Sequence, residues 1–481
     1  MKLMDALRQE DRLTENGMAT NSTSLSAVVD LFYNIGAMRG QDKGRLLSDF
    51  SKAFYQDPTR AMKILFWARD VRGGAGERQI FKDILVYLAD NHYEVVAKNL
   101  WLVPQFGRWD DLLALEGTKC EAYAFGIIRE ALTGPTRNAL CAKWMPRQGK
   151  TAAKLRNFMG LSPKRYRQLL VNLTRVVEQQ MCAKEWDAIE FSQVPSVAAA
   201  RYQRAFMKNA NESYTKYLES LKKGETKINA SSVYPYDVIK SLWAGNDDVA
   251  SEQWKALPNY LEGSNDMILP MVDVSGSMSC AAGNNANVTC LSVAISLGMY
   301  IAERNEGPFK DAFLTFSAEP GLYVLSGDLK DRYRQMSSSD WGMNTNLEAA
   351  FDLVLDRAKK HNVSQDQMPD KILILSDMQF DEATAPRRWV GEPVVSEWNP
   401  TAQQMIETKY RDAGYKMPKI VYWNIQSRRG DVPVAFDKTG TALISGFSPA
   451  IMTSVLTAEE FNPVSIMDET ILSDRYADVK A

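Results

Sequence analysis

The feature that most constrains this chain is a change of rhythm near Leu257-Pro258. Before it, from about residue 24, apolar side chains recur at the helical spacing of about three to four, with breaks at Gly or Pro. After it, a run of Asn, Gly, Ser and Asp leads into Met267-Ile268-Leu269-Pro270-Met271-Val272, and short apolar strands then alternate with helices. Such alternation reads as an α/β layer around a mainly parallel sheet. A chain of 481 residues also exceeds what one core ordinarily holds. The expectation is an all-helical domain over residues 1–260 and an α/β domain over residues 261–481.

In the first part, helices are predicted at 26–33, 46–55, 60–70, 78–89 and 93–102. Short connections between them suggest paired-helix packing of the repeat kind, although no sequence repeat of fixed period is visible. In the second part, strands are predicted at 267–274, 312–317, 321–325, 371–376 and 419–424, with a last pair at 433–436 and 442–445. Helices are predicted at 288–304, 347–360 and 402–413, at Ser448-Pro449, and once more in the tail.

The first of these strands ends in Asp273-Val274-Ser275-Gly276-Ser277. Alternation brings Asp273, Ser275 and Ser277 within reach of one point above the carboxyl edge of the sheet, where open α/β sheets bind ligands. Hydroxyl and carboxylate oxygens are hard ligands suited to Mg²⁺, which takes about six oxygens and keeps several waters. Asn344-Thr345-Asn346 and Ser376-Asp377 fall at loops and strand ends facing the same edge. A turn rich in hydrogen-bonding residues would explain the first motif alone, but not three elements in this order. No general base stands beside the motif. Asp340 and Glu348 flank the threonine loop and read as solvated surface acids.

The net charge of −2 conceals an uneven distribution. Residues 1–260 carry 37 Lys and Arg against 29 acids, whereas residues 261–481 carry 20 against 30. Residues 131–177 hold ten cations and no acid: Arg137, Lys143, Arg147, Lys150, Lys154, Arg156, Lys164, Arg165, Arg167 and Arg175. Aromatic residues lie among and beyond them at Trp144, Phe158, Tyr166, Tyr202 and Phe206, a composition suited to phosphates and unpaired bases or simply to a solvated helical face. Two histidines, His92 and His361, leave little material for a histidine zinc site or a Ser-His-Asp triad. The five cysteines lack the spacing of metal or dithiol motifs and read as reduced, buried thiols of a cytoplasmic protein. The N-terminus lacks a secretory pattern, and no apolar run is long enough to span a membrane.

Two further segments join predicted helices: Arg69-Asp70-Val71-Arg72-Gly73-Gly74-Ala75-Gly76-Glu77-Arg78, and Val103-Pro104-Gln105-Phe106-Gly107-Arg108-Trp109-Asp110-Asp111-Leu112. The glycine-rich one lacks the Lys-Ser/Thr ending of a phosphate loop and follows no strand, so it reads as a tight turn whose charged residues pair locally. The strand end, loop threonine and later aspartate resemble the metal-ion-dependent adhesion site of von Willebrand A domains. These helix-joining segments, with Thr14-Glu15-Asn16-Gly17, Lys143-Trp144-Met145-Pro146, Ser162-Pro163-Lys164-Arg165-Tyr166-Arg167 and Val194-Pro195-Ser196, resemble proteins related to the Ro autoantigen (TROVE) family. That resemblance implies a HEAT-like helical region closing into a ring, followed by a doubly wound von Willebrand A domain. It implies Mg²⁺ held by Asp273, Ser275, Ser277, Thr345 and Asp377. It also implies small or single-stranded RNA as a partner, and the acid-free stretch offers Lys143, Arg147, Lys150, Lys154, Arg156, Lys164, Arg165 and Arg167 as the contacts. The expected protein is a monomer and not an enzyme, with a partner's acidic residue completing the metal shell. The alternative is a metal-dependent protein-binding scaffold without RNA.

Overall fold

A computed structural model describes residues 12–174, 176–226, 228, 230, 233–245, 247–283, 288–315, 320–339, 347–380 and 402–481. The chain divides into two compact units. One runs as far as Asp57 and resumes over Tyr234–Lys240 and Asn259–Ser473; the other comprises Pro58–Val233, Ser241–Pro258 and Asp474–Ala481.

The first unit is organised by a six-stranded sheet among the described residues, formed by β3 (Ile268–Val272), β4 (Ala312–Thr315), β5 (Leu322–Val324), β6 (Lys371–Ser376), β7 (Lys419–Asn424) and β8 (Thr441–Ser445). Their order is β5-β4-β3-β6-β7-β8, with every pair parallel except the antiparallel β4 and β5. Every residue of β3, β6 and β8 is buried, and so are five of the six in β7. Each large aliphatic side chain in such a strand contributes about 1.5–3 kcal/mol through burial. From β3 the chain moves outward to β4 and β5, then returns to β6 on the other side of β3. Right-handed crossovers in opposite directions send their helices to opposite faces and leave a crevice at the carboxyl end of β3. Asp273 follows that end directly.

The boundary expected at residue 260 does not hold at the start of the chain. A hairpin of two-residue strands, β1 (Arg12–Leu13) and β2 (Ala19–Thr20), leads into Asn21, which exchanges backbone hydrogen bonds with Val432 at 2.9 and 3.0 Å. The helix Ala27–Ile35 then lies against β8, where Ser445 Oγ donates to the carbonyl of Phe32 and accepts from the amide of Gly36. A Cβ at Gly36 would stand 2.8 Å from Ser445 Oγ and 2.9 Å from Gly446 Cα, so only glycine permits this approach. Helical periodicity cannot tell which sheet or helix a helix will cover; the first helices are helical as expected but serve the sheet. The strand expected at 433–436 is also absent. Val432 makes a single bridge and the chain turns away, in keeping with the missing amide of Pro433.

The second unit is helical, and its two junction segments interlock as well as pairing locally. Arg69, at the end of the helix Pro58–Arg69, is buried with its guanidinium on Asp111, donating from Nε at 2.7 Å and from Nη2 at 2.6 Å. Asp110 takes Arg78 and Arg108. Asp70 instead receives Arg475 and, at 2.9 Å, the hydroxyl of Tyr476. Burial pushes the Asp70 carboxyl upward, but these donors and the Arg72 amide hold it below the usual carboxylate range. Gly74 and Gly107 make the interlock possible. A Cβ would lie 1.9 Å from the carbonyl of Trp67 at the first, and 2.4 Å from Asp111 Oδ2 at the second. Farther along, Asn138 and Ser162 cap the helices Ala139–Trp144 and Pro163–Leu173 by accepting from the amides of Cys141 and Arg165.

Candidate metal centre

Strand β3 delivers Asp273 into the crevice, and the backbone then turns so that the short helix Gly276–Ser279 carries Ser277 back over it. Asp273 is fully buried. Its Oδ1 accepts from the amide of Ser275 at 2.9 Å and its Oδ2 from Ser376 Oγ at 2.6 Å. The Ser275 and Ser277 hydroxyls are 3.0 Å apart. Asp377, one residue beyond β6, is buried as well; its Oδ1 accepts from the Gln379 amide, while Oδ2 has no hydrogen-bond partner among the described residues.

Two buried carboxylates this close are costly without a cation. Burial first, and then the charge of Asp377, push the Asp273 carboxyl up to about 7. Asp377 is also raised by burial, against the opposing pull of Arg428 and its hydrogen bonds. The donor set, paired hydroxyls and a buried carboxylate oxygen without a partner among the described residues, is of the hard-oxygen kind that fits a divalent ion. The structure thus brings together Asp273, Ser275, Ser277 and Asp377. Thr345 and Asp340 lie outside the described residues. Glu348 is not the solvated acid expected; it is buried and paired with Lys409.

Sequence reasoning missed Arg428 and the first segment of the chain. Arg428 Nη2 donates to the Ser277 carbonyl at 3.1 Å, and its guanidinium opposes the Asp377 charge. The Arg428 position follows β7 and therefore faces the same sheet edge, a signal that strand order alone could have supplied. Thr14 Oγ1 donates to the Phe380 carbonyl at 2.6 Å, the Glu15 amide to Gln379 Oε1 at 2.8 Å, and Asn16 Nδ2 to the Gln379 carbonyl at 2.8 Å. The Thr14-Glu15-Asn16-Gly17 motif is therefore a clamp on the backbone that carries Asp377.

In the helical unit, Arg147, Lys150, Lys154, Lys164, Arg165 and Arg167 are exposed, and Lys143 and Arg156 are half-buried. Two corrections follow. The absence of acids in the local sequence does not leave every cation unpaired, because Lys154 meets Glu116 at 2.9 Å from an earlier segment. Nor are the aromatics all available for stacking. Tyr166 is buried with its hydroxyl on the Pro146 carbonyl, Phe206 is in the core, and Arg108 covers Trp144 at 3.6 Å. Of the thiols, Cys182 is exposed and Cys280 half-buried, contrary to the expectation that all are buried.

Comparison with known proteins adds the following. Residues 268–478 match a domain of unknown function, DUF7788, and residues 14–122 and 143–267 match another, DUF2828. The Ro (RSR) protein of Deinococcus radiodurans is similar at a TM-score of 0.45 and 12% identity, over 93% of this chain and 99% of that one, a distant likeness that carries no functional inference. An uncharacterized protein of Acanthamoeba polyphaga mimivirus is 30% identical over 94% of this chain and 86% of its own length. With that identity sustained across both units, the chain belongs to one family with the mimivirus protein.

Proposed function

We propose that this is a non-enzymatic RNA-binding protein whose sheet unit is a von Willebrand A-type module that holds Mg²⁺ for contact with a partner's acidic oxygen. The observation that carries the metal half is Asp377 Oδ2, buried without a partner among the described residues, together with the adjacent Ser275 and Ser277 hydroxyls. Ser275 and Ser277 would bind the ion through their hydroxyls, Asp273 and Asp377 would balance its charge, and Thr345 would complete the set. The ion supplies a positive centre for a carboxylate or phosphate oxygen. This hydroxyl-rich site differs from two-metal phosphoryl-transfer centres, which gather several carboxylates around the ions.

The RNA half rests on the exposed cations of the helices Gly149–Phe158 and Pro163–Leu173 and on the loop before them. Phosphate neutralisation dominates non-specific nucleic-acid binding and makes it steeply salt-dependent. Gel shifts with short single-stranded and structured RNA test it. Binding should weaken with salt and with Lys164→Glu, Arg165→Glu and Arg167→Glu together; no shift at low salt removes the RNA half. The burial of Tyr166 and Phe206 and the Lys154 pair favour a second reading, a protein-binding scaffold without RNA. In that case a protein partner is retained in Mg²⁺ and lost with Asp273→Ala, while RNA is ignored. Among the described residues no helix is long and apolar enough to cross a membrane. We place the protein, as a monomer, in the cytoplasm.

A further inference from the structure

Cys280 and Cys290 are ten residues apart in sequence and adjacent in space. An antiparallel bridge between Ala281 and Thr289 sets them opposite each other, and the Cys290 amide donates to the Cys280 carbonyl at 3.0 Å. Their Sγ atoms are 3.4 Å apart, and both thiols reach Gln426 Oε1. Directly opposed residues of a hydrogen-bonded antiparallel pair keep Cα atoms about 5.5 Å apart, within the range a disulfide spans. Closing the sulfurs to a bond of about 2.05 Å therefore asks for side-chain motion and little backbone change.

The two thiols differ in ways that assign them roles. Cys280 is half-buried and so within reach of solvent, whereas Cys290 is buried. An accessible thiol beside a buried one within sulfur contact is the arrangement of a reactive cysteine with its resolving partner.

We propose that Cys280 and Cys290 form a thiol modification site that takes a hydroperoxide, with Cys280 as the attacking sulfur and Cys290 as the resolving one. The Cys280 thiolate attacks the peroxide O–O bond, which breaks. Cys280 becomes a sulfenic acid, and with a proton from solvent the other oxygen leaves as water. Cys290 sulfur then attacks Cys280 sulfur, forming the S–S bond and releasing the sulfenic oxygen as a second water together with the Cys290 proton. Two thiols are oxidised and one peroxide is reduced. The site stands independently of the metal reading, because it needs neither Asp273 nor Asp377.

The test is to reduce the full chain, expose it to hydrogen peroxide, and map thiols and linked peptides by mass spectrometry without reductant. The expected result is a Cys280–Cys290 cross-link reversed by dithiothreitol and formed in most chains before exposed Cys182 is modified, because the second sulfur already lies in contact with the first. In Cys290→Ser the sulfenic acid at Cys280 should persist and be trapped by dimedone; in Cys280→Ser, Cys290 should stay unmodified. Oxidation of Cys182 as fast as Cys280, with no linked peptide in the unsubstituted protein, overturns the proposal.

Discussion

The candidate metal edge of the sheet unit and the basic face of the helical unit are both charged, but they hold charge in opposite ways. At the sheet edge, Asp273 and Asp377 are buried among hydroxyls, and one carboxylate oxygen has no partner among the described residues. On the helices and the loop before them, Arg147, Lys150, Lys164, Arg165 and Arg167 are exposed. A buried, unpaired oxygen costs free energy unless something binds it, so its presence is informative. An exposed lysine costs nothing and is correspondingly less informative. The same physics predicts that substitutions will separate the two regions, with stability responding where charge is buried and binding where it is exposed.

The sharpest contrast lies within the helical unit. Asp111→Ala leaves Arg69 buried without its carboxylate and should cost about 3–5 kcal/mol, read as a fall in thermal midpoint or failure to fold. Neutral behaviour there would mean that burial does not set the scale.

Next comes the pH response of the metal-free sheet unit. Asp273 has a folded-state pKa raised to about 7 from the ordinary aspartate value of 3.8, so its contribution favours folding at low pH and is lost as pH rises through 7. The metal-free protein should melt a few degrees lower at pH 8 than at pH 5.5 on this account, and Mg²⁺ should restore most of the difference. A Mg²⁺ response that survives in Asp273→Ala would break the assignment of the site.

The exposed face should behave in reverse. Replacing Lys164, Arg165 and Arg167 with Ala should change stability by no more than about 0.5 kcal/mol each. The same set should weaken RNA binding by roughly ten- to a hundredfold at low salt and flatten its salt dependence by about one unit of slope for each phosphate that is no longer neutralised. The smallest effect belongs to Lys154→Ala. Glu116 already neutralises that side chain, so RNA affinity should move less than about twofold and less than with Arg165→Ala.

Legibility in the sequence follows the same divide. Asp273 through Ser277 are contiguous, and Ser376-Asp377 end an unmistakably apolar strand, so the core of the site could be read from local spacing. Arg428, Gln426 and the Thr14-to-Asn16 clamp could not, because each reaches the site from another part of the chain. The helices and most strands were legible for the reason that periodicity is local. Their partners were not: the helix Ala27–Ile35 has the same amphipathic signature whether it covers β8 or another helix. Glu116 escaped notice because a basic window of sequence says nothing about acids folded back against it.

The clamp also bears on synthesis. Thr14 is separated from its acceptor, Phe380, by 366 residues, and Asn21 from Val432 by 411. At ribosomal rates of about 5–20 residues per second, Thr14 waits roughly 20 to 70 seconds before its acceptor has been made. The sheet unit must close a long loop before those contacts reward it, and in the helical unit Asp70 likewise waits for Arg475 and Tyr476. The early segment is thus left exposed during translation, and a ribosome stalled before Phe380 would carry Thr14 without its anchor.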